Sequence, residues 1–70
     1  MLNVNKLKGK IIEKGYTVEK LSLSLQINPS TFYRKLKNNS FEIVEADAIV
    51  KELELTPTEA TEIFFAQIVA

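Results

Sequence analysis

The stretch Gly15-Tyr16-Thr17-Val18-Glu19-Lys20-Leu21-Ser22-Leu23-Ser24-Leu25-Gln26-Ile27-Asn28-Pro29-Ser30-Thr31-Phe32-Tyr33-Arg34-Lys35-Leu36-Lys37 decides the fold. Thr17 is a good N-cap, and it opens a helix over Val18–Leu25 whose Leu21 and Leu25, four residues apart, face the interior with the small Ser22 between them. Asn28 is a second N-cap, followed by Pro29 at the first helical position, where a missing N–H costs nothing. The helix it opens, Pro29–Lys37, has a narrow apolar edge of Phe32 and Leu36, while Ser30, Thr31, Tyr33, Arg34 and Lys37 surround the remainder. A short helix, a three-residue turn (Gln26-Ile27-Asn28) and a second short helix with a polar outer face describe a helix-turn-helix, whose second helix can lie in the major groove of DNA. Ser22 lets the two helices cross closely, Ile27 plugs the turn, and Phe32 anchors the second helix.

Outward from this motif, Gly9, Gly15, Pro29 and Pro57 are the only glycines and prolines, and each run between them carries a helical pattern. A first helix over Asn3–Lys14 places Val4, Leu7, Ile11 and Ile12 on one stripe and stops at Gly15 in the left-handed conformation. Gly9 weakens that helix by about 1 kcal/mol relative to alanine and leaves room for another helix to approach. Asn38-Asn39-Ser40 ends the third helix. A fourth, about Ile43–Leu53, buries Ile43, Ala46, Ile49, Val50 and Leu53. Thr56-Pro57-Thr58-Glu59 is a capping box that opens a fifth helix running to about Val69. The expectation is an all-α fold: one domain over residues 1–70 with five helices, the motif at 17–37 and the last two helices within 43–69.

Composition narrows the chemistry. At 70 residues and 46% hydrophobic, the chain is one small domain, too apolar to be disordered, with stability at the low end of roughly 5–15 kcal/mol. Cysteine and histidine are both absent, which removes thiolate and imidazole catalysis, disulfides and the usual transition-metal ligands. Glu45 with Asp47, or Glu59 with Glu62, could pair as catalytic carboxylates, but such pairs read as exposed helix surface. No enzymatic activity, cofactor or metal is expected. Met1–Lys14 mixes lysines through its apolar residues, with no signal-peptide core, and no apolar run approaches the roughly 20 residues of a membrane span, so a cytoplasmic location follows. The net charge of zero conceals an asymmetry. Residues 1–38 hold eight cations against Glu13 and Glu19, a balance of +6, whereas residues 39–70 hold Lys51 against seven acids, a balance of −6. A basic half is a hint of polyanion binding, although solvated helix faces give the same count.

The quoted stretch resembles the helix-turn-helix of the Cro and lambda-repressor-like (XRE-type) family, and is most similar to small phage and prophage regulators of low-GC Gram-positive bacteria. With the Phe41-Glu42-Ile43 loop and the helix ending at Leu53-Glu54-Leu55, the resemblance covers almost the whole chain. It implies a five-helix DNA-binding domain that occupies palindromic operators as a homodimer. By the resemblance, Thr17 and Val18 lie at the start of the supporting helix near the DNA backbone, and Asn28, Pro29, Ser30, Tyr33 and Arg34 fall on the groove-facing part of the recognition helix. Three residues depart from the family pattern: Gln26 stands where a left-handed glycine is usual, Ser22 replaces alanine, and Val18 replaces a polar residue, often Gln, that bonds phosphate or base.

The outer face has the matching chemistry. Arg34 can read guanine O6 and N7 with two hydrogen bonds; Ser30 and Tyr33 can bond phosphate or base edges; Lys35 and Lys37 can reach phosphates, with Thr31 and Asn38 beside them. Asn28 is engaged first as a cap, and Tyr33 can instead pack on its neighbours. Lys6, Lys10 and Lys14 follow one another around the first helix and can track a flanking strand or simply be solvated. On the last helix, Ala60, Ile63 and Phe64 suit the interior, whereas Phe65, Ile68 and Val69 project to another side and form a candidate dimer patch on the C-terminal helix. A two-fold dimer sets its recognition helices about 34 Å apart, one turn of DNA. The alternative is a protein-interaction module that keeps the fold and acts on another regulator through the acidic half or the apolar patch.

Overall fold

A computed structural model describes residues 2–65 and shows five helices in that span, with no strand among the described residues. They are α1 (Val4–Glu13), α2 (Val18–Ser24), α3 (Pro29–Asn38), α4 (Ile43–Glu52) and α5 (Pro57–Phe64). The fold is all-α. The N-caps predicted at Thr17, Asn28 and Thr56 form, and Asn3, expected as the first residue of α1, caps it instead. Asn3 Oδ1 accepts from the Lys6 N–H at 3.1 Å, Thr17 Oγ1 from Lys20 at 3.1 Å, Asn28 Oδ1 from Ser30 at 2.9 Å and Thr56 Oγ1 from Glu59 at 3.1 Å. Each side-chain oxygen satisfies one backbone N–H that the first helical turn leaves without a partner.

The first four helices each end at a residue in the left-handed conformation. After α1, the Gly15 N–H donates to the Ile12 carbonyl at 3.0 Å and the Tyr16 N–H to that of Ile11 at 2.9 Å, with Gly15 at φ 85°. The same two-bond closure follows α2 through Gln26 (φ 59°) and Ile27, and α4 through Glu54 (φ 52°) and Leu55. At the end of α3, Asn39 takes φ 53° and the Ser40 N–H reaches the Lys35 carbonyl at 3.1 Å. The residue after the left-handed position is apolar three times, and Tyr16, Ile27 and Leu55 each turn back onto the core. That contact is what holds Gln26 and Glu54 in a conformation costing a non-glycine residue roughly 1–2 kcal/mol. Gln26→Gly is therefore expected to raise stability by up to about 1 kcal/mol, once the extra unfolded-state freedom of glycine is deducted, as read by urea denaturation.

The core is Leu2, Leu7, Ile11, Leu21, Phe32, Leu36, Ile49, Leu53, Leu55 and Ile63, so every helix contributes. Phe32 is its centre: fully buried, with its ring edge-on to Phe41 at 5.1 Å. Ser22, the one buried polar residue among those described, donates its hydroxyl to the Glu19 carbonyl at 2.8 Å and so enters the α2–α3 crossing at little cost. The N-terminal strap is clipped by Leu2 N–H to Asn39 Oδ1 at 3.0 Å and by Asn3 N–H to the Ile63 carbonyl at 2.6 Å. These bonds tie residues 2 and 3 to the end of α3 and to α5.

Several sequence expectations are corrected. Ile12 is exposed, because it stands about 100° around the helix from Ile11 and the buried stripe is Leu7 and Ile11 with Val4 at its edge. Ile43 is exposed as well: Phe41 closes that end of the core two residues earlier, and the buried face of α4 begins at Ala46 and Ile49. No helix approaches Gly9, and a β-carbon there would meet nothing within 4 Å. Gly9→Ala is expected to stabilise the domain by about 1 kcal/mol, visible as a rise of roughly 4–8 °C in the thermal midpoint. The third helix extends one residue further than predicted, to Asn38, and the fourth ends one earlier, at Glu52. The predicted extension of α5 to Val69 lies outside the described residues.

Ion pairs between helices give the domain a pH dependence. Lys10 Nζ lies 2.5 Å from Glu59 on α5, and the Glu59 carboxylate also accepts the Thr56 N–H at 2.9 Å. The lysine first, and the backbone N–H after it, hold the Glu59 carboxyl down to about 2 from an ordinary value of 4.5. Glu45 is lowered in the same direction, first by Lys35 and then by the Glu42 N–H. A carboxyl depressed in the folded state stabilises it above the unfolded pKa and loses that contribution as pH falls toward the folded one. The thermal midpoint is therefore expected to drop as pH is lowered from about 4.5 toward 2, and Glu59→Gln should flatten that drop.

Candidate nucleic-acid interface

The α2–turn–α3 unit brings the predicted residues to one part of the molecule and divides them into three groups. Thr17 and Asn28 are exposed but serve as caps, each with its side-chain oxygen on a backbone N–H. Ser30, Arg34, Lys37 and Asn38 are exposed, with no side-chain hydrogen bond or ion pair among the described residues. Pro29 and Thr31 are half-buried on α3, and Val18 is half-buried at the start of α2. Val18 packs against the core edge and, together with Ile12, Tyr16 and Tyr33, lines a shallow hollow of about 310 Å³.

Two residues are held differently from the sequence expectation. Lys35 does not extend to the outer face: its ammonium is half-buried against Glu45 of α4 at 2.5 Å. Tyr33 is 44% exposed and donates its hydroxyl to Glu19 Oε2 at 3.1 Å, a bond that leads burial in pushing its pKa up. The Tyr33 ring is thereby fixed across the α2–α3 junction, with Glu19 and the start of α2 on one side. Neither contact has a local sequence signal, since the partners are 10 and 14 residues apart on different helices.

The pairing pattern of the cations sharpens the charge asymmetry. Lys6 pairs with Glu62 at 2.5 Å, Lys10 with Glu59 and Glu13, Lys35 with Glu45, and Lys51 with Asp47 at 2.9 Å. Lys6 and Lys10 are thus turned to acids of α5 or of their own helix, and of the three lysines on that flank only Lys14 is left without an acidic partner among the described residues. The remaining cations without such a partner are Lys8, Lys20, Arg34 and Lys37; like Lys14, all are exposed and all belong to residues 1–38. Ion pairing consumes most of the acidic half and leaves exposed positive charge on α1, α2 and α3.

Just after α5, Phe65 is half-exposed and lines an apolar groove, while Ile68 and Val69 lie outside the described residues. Ile43, which the sequence placed inside, also lines the groove, and Val44 after it is exposed. Among the described residues, no group of three acids comes together, and no helix is long and apolar enough to cross a membrane. Comparison of the chain with family models, curated proteins and solved structures gives no match.

Proposed function

We propose that this chain is a sequence-specific DNA-binding regulator, a phage- or prophage-type repressor or Cro-like switch, that places α3 in the major groove of an operator and acts in the cytoplasm. The observation that carries the reading is the set of five exposed cations without acidic partners, two of which, Arg34 and Lys37, lie on the helix that follows the Gln26 turn. Arg34 supplies base readout through its guanidinium; Ser30 adds a short hydroxyl near the start of the helix; Lys37 and Asn38 at its far end meet the phosphate backbone. Lys14 and Lys20 extend the contact along the flanking strand. Tyr33, with its hydroxyl held by Glu19, contributes its ring. A homodimer on a palindromic site, blocking polymerase by occupancy, follows the family resemblance. Catalysis, cofactor and metal have no part in this reading.

A second reading, an interaction module acting on another regulator, draws on Val18, where the resembled family has a polar residue, and on the exposed apolar surface at the start of α4. Titration into a duplex at two salt concentrations separates the two. DNA binding through these cations loses affinity as salt rises, each neutralised phosphate adding about −0.9 to the log–log slope. An interaction module shows no salt-dependent duplex binding.

A further inference from the structure

We infer that Tyr33 and Val18 form a notch that reads the 5-methyl group of thymine beside the base contact of Arg34, an inference that deepens the DNA-binding proposal and rests on it. Ser30, Tyr33, Arg34 and Lys37 are exposed and stand at i, i+3, i+4 and i+7 on α3, so they make one outer stripe. Tyr33 belongs both to that stripe and to the hollow of about 310 Å³ that it lines with Ile12, Tyr16 and Val18. Apolar surface thus continues from the start of α2 to the helix proposed to enter the groove.

The hollow offers carbon rather than hydrogen-bonding groups. Tyr33 donates its hydroxyl to Glu19 Oε2 at 3.1 Å, Tyr16 donates its own to Glu52, and Thr17 Oγ1 accepts the Lys20 N–H at 3.1 Å. The two tyrosines therefore present their rings, and Val18 and Ile12 their methyl groups. The thymine 5-methyl is the one apolar group that a base pair of unmodified DNA displays in the major groove, so it is the group that such a surface selects. Charge agrees with a neutral occupant. Glu19 keeps a carboxylate at the edge of Tyr33 and disfavours a phosphate there, whereas Lys8, the one charged residue of the lining, has no acidic partner among the described residues and remains for the backbone. Glu19 is also a positioning residue, because its bond to Tyr33 joins α2 to α3 and fixes the ring across their junction.

The test uses the duplex that the full chain enriches from a random pool, with each thymine replaced in turn by deoxyuridine, which removes the methyl and leaves every hydrogen-bonding group in place. At one thymine of each half-site the change should weaken binding about fourfold, the effect of exposing one buried methyl, and 5-bromouracil, whose bromine fills the space of the methyl, should restore it. In Tyr33→Ala the ratio of affinities for the thymine and deoxyuridine duplexes should fall to about one, and in Val18→Thr to about two, with helical circular dichroism unchanged. Glu19→Ala should lower the ratio, and Glu19→Gln, whose amide oxygen accepts the same hydroxyl, should keep it; a ratio unmoved by Glu19→Ala overturns the positioning role. Equal binding of the two duplexes at every position overturns the inference, as does a ratio that Tyr33→Ala and Val18→Thr both leave at its wild-type value. A folded chain that enriches no duplex overturns the DNA-binding proposal and this inference with it, whereas specific binding indifferent to the methyl overturns this inference alone.

Discussion

Arg34→Glu is expected to abolish specific duplex binding, with a loss of at least about a hundredfold, and to leave the helical circular dichroism unchanged. The side chain is exposed on α3 and makes no hydrogen bond or ion pair among the described residues. In the groove, its replacement removes a two-bond contact worth about 1–3 kcal/mol and sets a carboxylate among phosphates and acceptor edges, and a dimer suffers the change twice. Lys37→Ala should behave differently. Its loss weakens binding to all sequences alike and reduces the salt slope by about 0.9 per protomer. Fluorescence anisotropy with a specific and a scrambled duplex distinguishes the two effects.

Phe32→Ala is expected to cost about 3–5 kcal/mol, the usual range for emptying a phenylalanine site in a core that relaxes only in part. Phe32 is fully buried at the junction of α2 and α3, and its ring meets Phe41 edge-on at 5.1 Å, so the variant loses both the burial and that aromatic contact. A domain of this size holds little reserve, and the thermal midpoint should fall by roughly 12–40 °C. The consequence extends to the α4 surface, because Phe41 closes the end of the core next to Ile43. A variant with wild-type stability would place the centre of the core elsewhere.

The sequence was most legible where structure is local. Thr17, Asn28 and Thr56 cap helices through their own side chains within three residues, and Gly15 and Asn39 stop helices by a preference intrinsic to each residue type. Gln26 was legible as a departure from the resembled family, and it does adopt the left-handed turn. Glu54 was not, because nothing in Leu53-Glu54-Leu55 signals a positive φ; the closure there is enforced by Leu55 turning back onto the core. Ile12 and Ile43 were placed inside because periodicity identifies an apolar stripe but not its edges, and those edges depend on what Phe41 and the neighbouring helices already fill.

The candidate site follows the same division. Residue types on α3 and the charge imbalance between halves are readable from the chain, but which cations remain available is decided by pairs far apart in sequence. Lys6 with Glu62, separated by 56 residues, and Lys35 with Glu45 are settled by packing, and they remove two lysines that the linear pattern offers to phosphates. The exposure of Ile43 was hidden for a related reason, since a first-turn isoleucine looks like core until the loop before it is placed.

Whether α3 reads a DNA sequence from a two-fold dimer is decided by selection from a pool of random duplexes with the purified, folded protein. The expected result is enrichment of an inverted repeat whose half-sites lie about one helical turn apart, with an affinity that falls as salt rises and that Arg34→Glu removes. Failure of folded wild-type protein to enrich any sequence would contradict it.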